Sequence, residues 1–220
     1  MSLLARWAPG TDDVPVTDVP VTEHTTELWL VRHGETAWSA LGRHTGRSDV
    51  PLSAEGEDQA RALGKRLPAD GFDLVLCSPL QRARRTADLA GLTDVQVEPL
   101  AVEWDYGTYE GRTRAQIRAE IPGWSPWTHP AMPGGETLEE VCARARAVLD
   151  RIRAVPGSAV PGSGRRARVL LVAHAHFLRV LATQWIGHDV ALARHLLLGP
   201  ASLGMLGNDR GTCVIGRWNT

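Results

Sequence analysis

The sequence predicts a layered α/β fold, and three observations support this prediction. From residue 26 onward, short β-branched or apolar runs alternate with longer segments that have the apolar period of a helix. The run "RVLLVA", which starts at Arg168, is apolar enough for a strand that is buried on both faces. The helical segments start at Ser or Thr and stop near glycines, as helix caps do.

Four strands and a hairpin are predicted from these runs. The strands are expected at about Glu27 to Val31, at "FDLVLC", at Val95 to Val97 and at "RVLLVA". The hairpin is expected at the end of the chain, where "GNDRG" separates two apolar runs.

The helices are predicted from their caps and their apolar positions. The predicted starts are Ser53, Ser78 with Pro79 and Gln81 in a capping-box pattern, the Thr137 and Glu140 capping box, and the end of "RVLLVA". The predicted ends of three of them are Pro68, Gly91 and Gly187.

Length and composition predict one domain with two accessory segments. With 220 residues and 43% hydrophobic content, the chain can bury one core. Residues 1–25 contain Pro, Thr, Asp and Val in alternation, which predicts an extended tail or an edge segment. We therefore assign the domain to residues 26–220. Within it, residues 104–136 are rich in Trp, Tyr, Pro and Gly and predict an irregular cap insert.

Charge and cysteine content exclude several classes of function. A net charge of -1 and a pI near 6.7 argue against a nucleic-acid partner. Cys77, Cys142 and Cys213 lie far apart, so neither a disulfide framework nor a thiolate zinc site is predicted. A reducing, cytoplasmic location fits best. The N-terminal segment has no signal-peptide pattern, and no run is long enough to span a membrane, so no membrane partner is expected.

Polar side chains follow three of the predicted strands. His33 follows the first strand, the segment 78–82 follows the second, and His174 follows "RVLLVA". Open parallel sheets gather their sites at the carboxyl ends of strands, so these groups are expected at one rim. Each alone is more often structural than functional, but four donors with no nearby carboxylate indicate an anion site. Phosphate suits forked arginines.

A metal site is a weaker interpretation of the same residues. His174 and His176 are two positions apart at a strand end, so their side chains tend to point to opposite faces. No Asp or Glu stands at the usual ligand spacing. We therefore expect neither a metal ion nor another cofactor.

Six motifs resemble the histidine phosphatase superfamily, also called the phosphoglycerate-mutase-like proteins. They are "LVRHGETAWS", "GRSDVPLSAEGEDQA", "SPLQRARRTA", "EWDYGTYEG", "PGGET" and "VAHAH". They follow the family order over about residues 27 to 180, and the chain looks most like the short bacterial acid phosphatases. The resemblance implies a three-layer α/β/α sandwich with a mostly parallel central sheet and a small cap insert.

The resemblance also implies the roles of the rim residues. His33 is implied as the nucleophile that forms a phosphohistidine, while Arg32, Arg82 and His174 surround the phosphoryl oxygens. Such preset positive groups suit a loose transition state with charge spread over the equatorial oxygens. His33 must be neutral at the attacking nitrogen, so its other nitrogen is expected to donate to a backbone carbonyl, that of Gly34 being the candidate.

Glu103 matches the general acid of the family, which protonates the leaving oxygen and then deprotonates water. Because this carboxyl must carry a proton beside the phosphate, we predict an acidic to neutral pH optimum. Asp105 and Glu110 are rivals for the role, although solvated loop charges are the commoner interpretation of both. Glu35 is predicted to be a structural hydrogen-bond partner.

Five further residues are implied as substrate contacts. They are Ser39, Thr45, Gly46, Tyr106 and Ala175. Ser39 stands where many members have Asn, and Ala175 replaces a frequent Gly, but a hydroxyl and a backbone N–H still donate hydrogen bonds there. The family pattern at positions 45 and 46 implies contacts from a hydroxyl and a backbone amide.

The predicted function is hydrolysis of phosphomonoesters of small phosphorylated metabolites, with three alternatives left open. One is a cofactor-dependent phosphoglycerate mutase, although the insert is short for a mutase. Another is a sugar bisphosphatase that uses Arg43, His44 and Arg47 for a second phosphate, although surface arginines are more often merely solvated. The remote third is a non-catalytic phosphate-binding module. Trp124, Trp127 and His129 form either a lid or substrate wall, or a small core of the cap. A homodimer is left open.

Overall fold

The computed structural model describes residues 26–129, 132–156 and 166–220. The predicted N-terminal tail, residues 1–25, lies outside the described residues. Most of the loop predicted between the capping-box helix and "RVLLVA" lies outside them too. Within the described part of the chain, no helix combines the length and the apolar character that crossing a bilayer requires.

A six-stranded sheet forms the centre of the fold. The strands are β1 Thr26–Arg32, β2 Leu74–Cys77, β3 Val95–Val97, β4 Ala167–Ala173, β5 Leu203–Asp209 and β6 Thr212–Arg217. Their spatial order is β3-β2-β4-β1-β5-β6. β1 to β4 are parallel to one another, and β5 and β6 are antiparallel additions beside β1. The predicted mostly parallel sheet and the C-terminal hairpin are therefore confirmed.

Helices cover both faces of the sheet. They are α1 Ala37–Ala40, α2 Ala54–Gly64, α3 Gln81–Leu89, α4 Arg114–Glu120, α5 Leu138–Arg153 and α6 Ala175–Trp185, with 3₁₀ turns at Pro99–Ala101, Gly107–Tyr109 and Val190–His195. Successive side chains of a strand point to opposite faces. Leu28 and Leu30 of β1 accordingly pack with α5 and α6. Trp29 and Val31 pack with α2 and α3 on the other face. The fold is the predicted three-layer α/β/α sandwich.

Two predicted helix starts are confirmed. Ser53 accepts a hydrogen bond from the N–H of Gly56 at the start of α2. Thr137 and Glu140 form the predicted capping box at the start of α5. In both cases residues within one turn settle the helix start, so the sequence pattern is sufficient.

The predicted helix start at Ser78 is wrong. α3 begins at Gln81, and its N-cap is Leu80, which makes no capping bond through its side chain. The Ser78 side chain is buried, and its Oγ lies 2.7 Å from Nε2 of His174. A buried imidazole needs a partner, and here it takes the hydroxyl that the pattern assigned to the helix.

The cap insert contains one helix that the sequence analysis did not predict. α4 starts at a capping box of Thr113 and Gln116, which the printed sequence already contains. Trp124 is fully buried in the core and contacts Tyr109 edge-on. Trp127 is half-buried against the same core. Both tryptophans thus belong to the core that also contains Leu28 and Leu30 of β1, so of the two alternatives the structure favours a core role.

The carboxyl ends of β1, β2 and β4 are joined by backbone hydrogen bonds just beyond the strands. The N–H of His33 donates to the carbonyl of Ala173, at 3.0 Å. The N–H of Ser78 donates to the carbonyl of Val172, at 2.9 Å. These bonds bring the residues that follow the three strands to one rim of the sheet, as the sequence predicted.

Candidate active site

His33 is buried at this rim, and its ring is held by the next peptide. Its Nδ1 donates to the carbonyl oxygen of Gly34, at 2.7 Å, because a carbonyl can only accept. Burial, and after it the charges of Arg32 and Arg82, lowers the pKa of His33 well below the usual histidine value. The ring is therefore neutral, with its proton on Nδ1 and a lone pair on Nε2. The hydrogen bond predicted from the sequence is present.

The turn after His33 depends on close backbone packing against α2. A Cβ on Gly34 would lie 2.4 Å from the carbonyl oxygen of Gly56, and a Cβ on Gly56 would lie 2.0 Å from that of Glu35. Two glycines therefore let the start of α2 rest on the turn. The Glu35 carboxylate accepts from Ser53 Oγ, at 2.9 Å, which confirms its prediction as a structural partner.

Thr86 of α3 connects this turn to Arg82. Its Oγ1 accepts from the N–H of Gly34, at 3.0 Å, and donates to the carbonyl of Arg82, at 2.7 Å. Thr86 lies within the motif "SPLQRARRTA", and no role was predicted for it from the sequence. Since Gly34 holds the His33 ring, Thr86 positions His33 through one intervening residue.

His174 lies beside His33, with 5.1 Å between the ring centroids. Arg82 donates from Nε to Nδ1 of His174, at 3.2 Å, so this nitrogen is an acceptor. The proton of the neutral ring is then on Nε2, which donates to Ser78 Oγ, at 2.7 Å. Burial, followed by the charge of Arg82, lowers the pKa of His174 well below the usual value. Both nitrogens of His174 are thus bonded within the protein.

Arg82 is fully buried and binds the loop that follows α1. Nη1 donates to the carbonyl of Ser48, at 2.8 Å. Nη2 donates to the carbonyls of Gly46 and Thr45, at 2.9 and 3.3 Å. Together with the bond to His174, the guanidinium joins this loop to the end of β4. Burial is the main cause that lowers its pKa, and Glu103 is the largest opposing influence.

Arg32 is the last residue of β1, and it retains a free part. Nη1 donates to the carbonyl of Leu198, at 2.6 Å. Its buried Nε has no hydrogen-bond partner among the described residues. Burial lowers the pKa of Arg32, and the carboxylate of Glu103 opposes that shift. Unpaired donors of a guanidinium are free to bind an anion.

Glu103 is held by backbone N–H groups at the start of α6. Its Oε1 accepts from Phe177 and from Trp104, at 2.8 and 2.9 Å. Its Oε2 accepts from the N–H of His176, at 3.0 Å. The first N–H groups of a helix have no partner within the helix, so a carboxylate suits them. The rivals are engaged elsewhere: Asp105 binds the N–H of Gly107, and Glu110 binds the N–H groups of residues 47 and 48.

A cavity of about 180 Å³ opens beside these groups. The residues that line it are Arg32, His33, Ser39, Gly42, Arg43, His44, Thr45, Glu103, Tyr106, Ala175 and His176. Of the residues predicted as substrate contacts, all but Gly46 are in this set. Of the predicted catalytic residues, Arg82 and His174 are not in it. Both are fully buried, with His174 beside the ring of His33 and Arg82 bonded to His174.

Ser39, Thr45 and Gly46 each have a bond within the protein. The hydroxyl of Ser39 donates to the carbonyl of Thr36 in the capping box of α1. The hydroxyl of Thr45 donates to the carbonyl of Arg43, at 3.1 Å. A Cβ on Gly46 would lie 2.3 Å from the carbonyl oxygen of Trp104, so this position requires glycine for packing.

Of the three residues considered for a second phosphate, two line the cavity and one does not. Arg47 is paired with Glu136, at 3.2 Å, and does not line the cavity. Arg43 is exposed and lines it. His44 is 9% exposed and lines it too, although the sequence pattern gave no sign of its burial.

No group of three or more His, Cys, Asp or Glu side chains suited to a metal ion occurs among the residues that the structure describes.

Comparison with known proteins gives the family. The sequence model described as "Histidine phosphatase superfamily (branch 1)" matches residues 28–220. The chain belongs to this superfamily. An acid phosphatase from Mycobacterium tuberculosis is 43% identical over 186 residues, which are 84% of this chain and 87% of that protein.

Two other relatives extend this comparison. A probable phosphoglycerate mutase GpmB from Photorhabdus laumondii is 30% identical over 200 residues, 87% of this chain and 89% of that protein. The solved structure of a mycobacterial glucosyl-3-phosphoglycerate phosphatase matches with a TM-score of 0.75 at 29% identity, over 88% of this chain and 98% of that one.

In this histidine phosphatase, three cavity or rim contacts were missed by the sequence analysis. They are the bonds of Ser78 to His174, of Thr86 to Gly34, and of Tyr106 to His176. Ser78 and Thr86 lie inside "SPLQRARRTA" and Tyr106 lies inside "EWDYGTYEG", so the family motifs were a usable signal. His176 was considered only as a metal ligand, and no local pattern indicates its contact with Tyr106.

Proposed function

We propose that this protein hydrolyses phosphomonoesters of small metabolites through a phosphohistidine on His33. The observation that supports it most is the neutral, buried His33, whose Nδ1 proton is bound by Gly34 while the ring lines a cavity with Arg32 and Glu103. A lone pair on Nε2 beside a cation and a carboxyl is the combination that two-step phosphoryl transfer requires.

In the first step, Nε2 of His33 attacks phosphorus. The P–N bond forms as the P–O bond to the leaving group breaks, and Glu103 gives its proton to the leaving oxygen. Arg32 binds the phosphoryl oxygens through its free donors. Arg82 contributes a positive charge near His33, and this charge helps to lower the pKa of the His33 ring.

In the second step, water attacks the phosphohistidine. Glu103 takes a proton from the water as the new P–O bond forms and the P–N bond breaks, so His33 returns to its neutral state. His174, bonded to Arg82 and Ser78, supports the phosphoryl pocket beside His33. Splitting the hydrolysis in this way replaces one very slow step by two easier ones.

Four of the other lining residues are assigned to substrate binding. Ala175 offers its backbone N–H, whereas the hydroxyls of Ser39, Thr45 and Tyr106 are already bonded within the protein and offer oxygens that accept from a substrate hydroxyl. Gly46, which does not line the cavity, is assigned instead to holding Arg82 through its carbonyl. The cavity volume of about 180 Å³ suits a small substrate.

A mutase activity is the second candidate, because relatives named as probable phosphoglycerate mutases are 30% identical. The phosphatase is favoured by the 43% identical relative that is named an acid phosphatase. We further propose that the reaction needs no metal ion and takes place in the cytoplasm. The three cysteines are free in the structure, as they are in a reducing compartment.

The deciding experiment is turnover of p-nitrophenyl phosphate from pH 4 to pH 8, with and without EDTA. We expect turnover that EDTA does not reduce, and an acid-labile, base-stable phosphoryl label that His33→Ala abolishes. Absence of turnover across this range would refute the phosphatase. Interconversion of 2- and 3-phosphoglycerate faster than phosphate release would favour the mutase.

A further inference from the structure

His44, Tyr106 and His176 form one wall of the cavity, called here the imidazole wall. The rings of His44 and His176 are nearly parallel, with their centroids 6.5 Å apart. Tyr106 lies against both, at 4.8 Å from His44 and 5.8 Å from His176. The mechanism proposed above uses no side chain of this pair of histidines.

The imidazole wall lines the same cavity as His33 and lies next to Glu103. The backbone N–H of His176 binds the Glu103 carboxylate, which is the proposed proton donor to the leaving oxygen. A substrate in this cavity that His33 attacks, with its leaving oxygen beside Glu103, therefore has its carbon part within reach of the wall.

Tyr106 decides which nitrogen of His176 is available. Its hydroxyl is hydrogen-bonded to Nδ1 of His176. Burial raises the pKa of Tyr106 well above its usual value, so the hydroxyl is protonated, and it donates to Nδ1 or accepts from it according to the tautomer of His176. Burial, followed by the charge of Arg179, lowers the pKa of His176. In either tautomer, Nε2 of the neutral ring is the nitrogen left for a ligand, as a donor or as an acceptor.

His44 contributes a nitrogen that lacks a partner. Its side chain is nine-tenths buried, and its Nε2 has no hydrogen-bond partner among the described residues. An unsatisfied buried polar atom is costly, and a ligand that binds it removes that cost. Burial and the charge of Arg114 lower the pKa of His44 to about 4, against the weaker opposing influence of Glu110. This ring is also uncharged at neutral pH.

From this arrangement we propose that the imidazole wall binds hydroxyl groups of the leaving group and selects monophosphates of sugars or polyols. The proposal rests on the proposed function. Two uncharged imidazoles match uncharged hydroxyls, whereas a second phosphate would need a positive charge that they do not supply. Arg43, exposed at the cavity, is the cation that the competing bisphosphate hypothesis requires.

Kinetics with three substrates test this selectivity. They are glucose 6-phosphate, fructose 1,6-bisphosphate and p-nitrophenyl phosphate, which has no hydroxyl on its leaving group. We expect glucose 6-phosphate to be preferred over the bisphosphate. In His44→Phe, which keeps an aromatic ring in place, we expect kcat/KM for glucose 6-phosphate relative to p-nitrophenyl phosphate to fall about tenfold, mainly through KM. His44→Gln, which keeps hydrogen-bonding groups, should restore part of the ratio.

Two controls separate this inference from its rivals. His188→Phe makes the same exchange at an exposed histidine outside the cavity and should leave the ratio unchanged. Arg43→Gln should change it little. Equal losses for all substrates in His44→Phe, or a preference for the bisphosphate that Arg43→Gln removes, would overturn the proposal.

Binding measurements test the wall without turnover. Calorimetric titration of glucose 6-phosphate into His33→Ala and into His33→Ala with His44→Phe should show about tenfold weaker binding in the second protein. Equal affinities overturn the inference. If the wild type does not hydrolyse p-nitrophenyl phosphate, the proposed function fails, but a loss of affinity in the double variant would still support the wall.

Discussion

Nε of Arg82 donates a hydrogen bond to Nδ1 of His174, at 3.2 Å, and this contact assigns the protons of both residues. A guanidinium cannot accept, so Nδ1 is the acceptor and Nε2 of the neutral ring donates to Ser78. The same Arg82 binds the carbonyls of three loop residues. The buried guanidinium of Arg82 therefore holds the loop of residues 45–48 and the ring of His174. It also places a positive charge near His33.

Replacing Arg82 by lysine should reduce both activity and stability. A lysine ammonium is a point charge without a planar fork, so it cannot reach the three carbonyls and His174 together. We expect kcat/KM for p-nitrophenyl phosphate to fall at least about a hundredfold, the effect of losing one preset charge donor. Thermal unfolding should show a lower Tm, since buried acceptors lose their partners.

Arg84, on the same helix and exposed, provides the matched control. Arg84→Lys should retain wild-type kinetics and Tm. If Arg82→Lys has the same kcat/KM and Tm as Arg84→Lys, the prediction that the forked side chain of Arg82 is required is wrong.

Ser78→Ala should destabilise the protein by about 1–3 kcal/mol, the cost of leaving the buried Nε2–H of His174 without an acceptor. This destabilisation does not come from the loss of a helix cap, because the N-cap of α3 is Leu80 and not Ser78. The measurement is urea unfolding, with Ser125→Ala, which removes an exposed hydroxyl contact, as the control. Equal unfolding midpoints for the two variants would contradict the buried bond.

Glu103→Gln should affect substrates according to their leaving groups. A poor alkoxide leaving group needs a proton, whereas p-nitrophenolate leaves readily without one. We expect kcat for glycerol 3-phosphate to fall at least about a hundredfold, a typical contribution of general acid catalysis, and kcat for p-nitrophenyl phosphate to fall much less. Similar losses for both substrates would assign proton transfer to another group.

The same variant has a structural consequence that must be measured beside the kinetics. The Glu103 oxygens accept hydrogen bonds from the backbone N–H groups of Trp104, His176 and Phe177. The amide nitrogen of glutamine cannot accept, so at least one N–H loses its partner, at a cost of about 1–3 kcal/mol. A Tm measurement separates this loss from the chemistry. Asp105→Gln, at a carboxylate outside the cavity, is the control for kinetics.

The free energy of unfolding should fall as the pH is lowered from 6.5 to about 4, the range in which His44 binds a proton only in the unfolded chain. Burial lowers the pKa of His44 to about 4 from a usual value of 6.5. Between these values the unfolded chain binds a proton at this site and the native protein does not. Above pH 6.5, His44 therefore does not lower the free energy of unfolding. Below pH 6.5, that free energy decreases as the pH falls toward 4.

His44→Phe should therefore flatten the stability curve. The slope between pH 6.5 and 4 should become shallower by up to about 1.4 kcal/mol per pH unit, the effect of one proton. Urea unfolding at several pH values measures the slope. His188→Phe, at an exposed position, should follow the wild type, and a His44→Phe curve parallel to the wild type would contradict the burial of a neutral His44.

The strand segments, the rim and the starts of α2, α5 and α6 were predictable from the sequence. Ser53 caps α2 and Thr137 caps α5 because a cap bonds to an N–H within the next turn. α4 was predictable by the same rule from Thr113, although it was missed. The hydrogen bond of His33 to Gly34 is also local, joining neighbouring residues.

Only the tertiary structure decided the partners that are distant in sequence. Ser78 binds His174, 96 positions away, and not its own helix. Glu103 binds the start of α6, and Tyr106 binds His176, 70 positions away. By itself, the sequence determined which chemical groups reach the rim, because strand ends and helix caps depend on neighbouring residues. Which of these groups are neutral, paired or free was decided by packing, because burial and hydrogen bonding depend on distant segments that fold together.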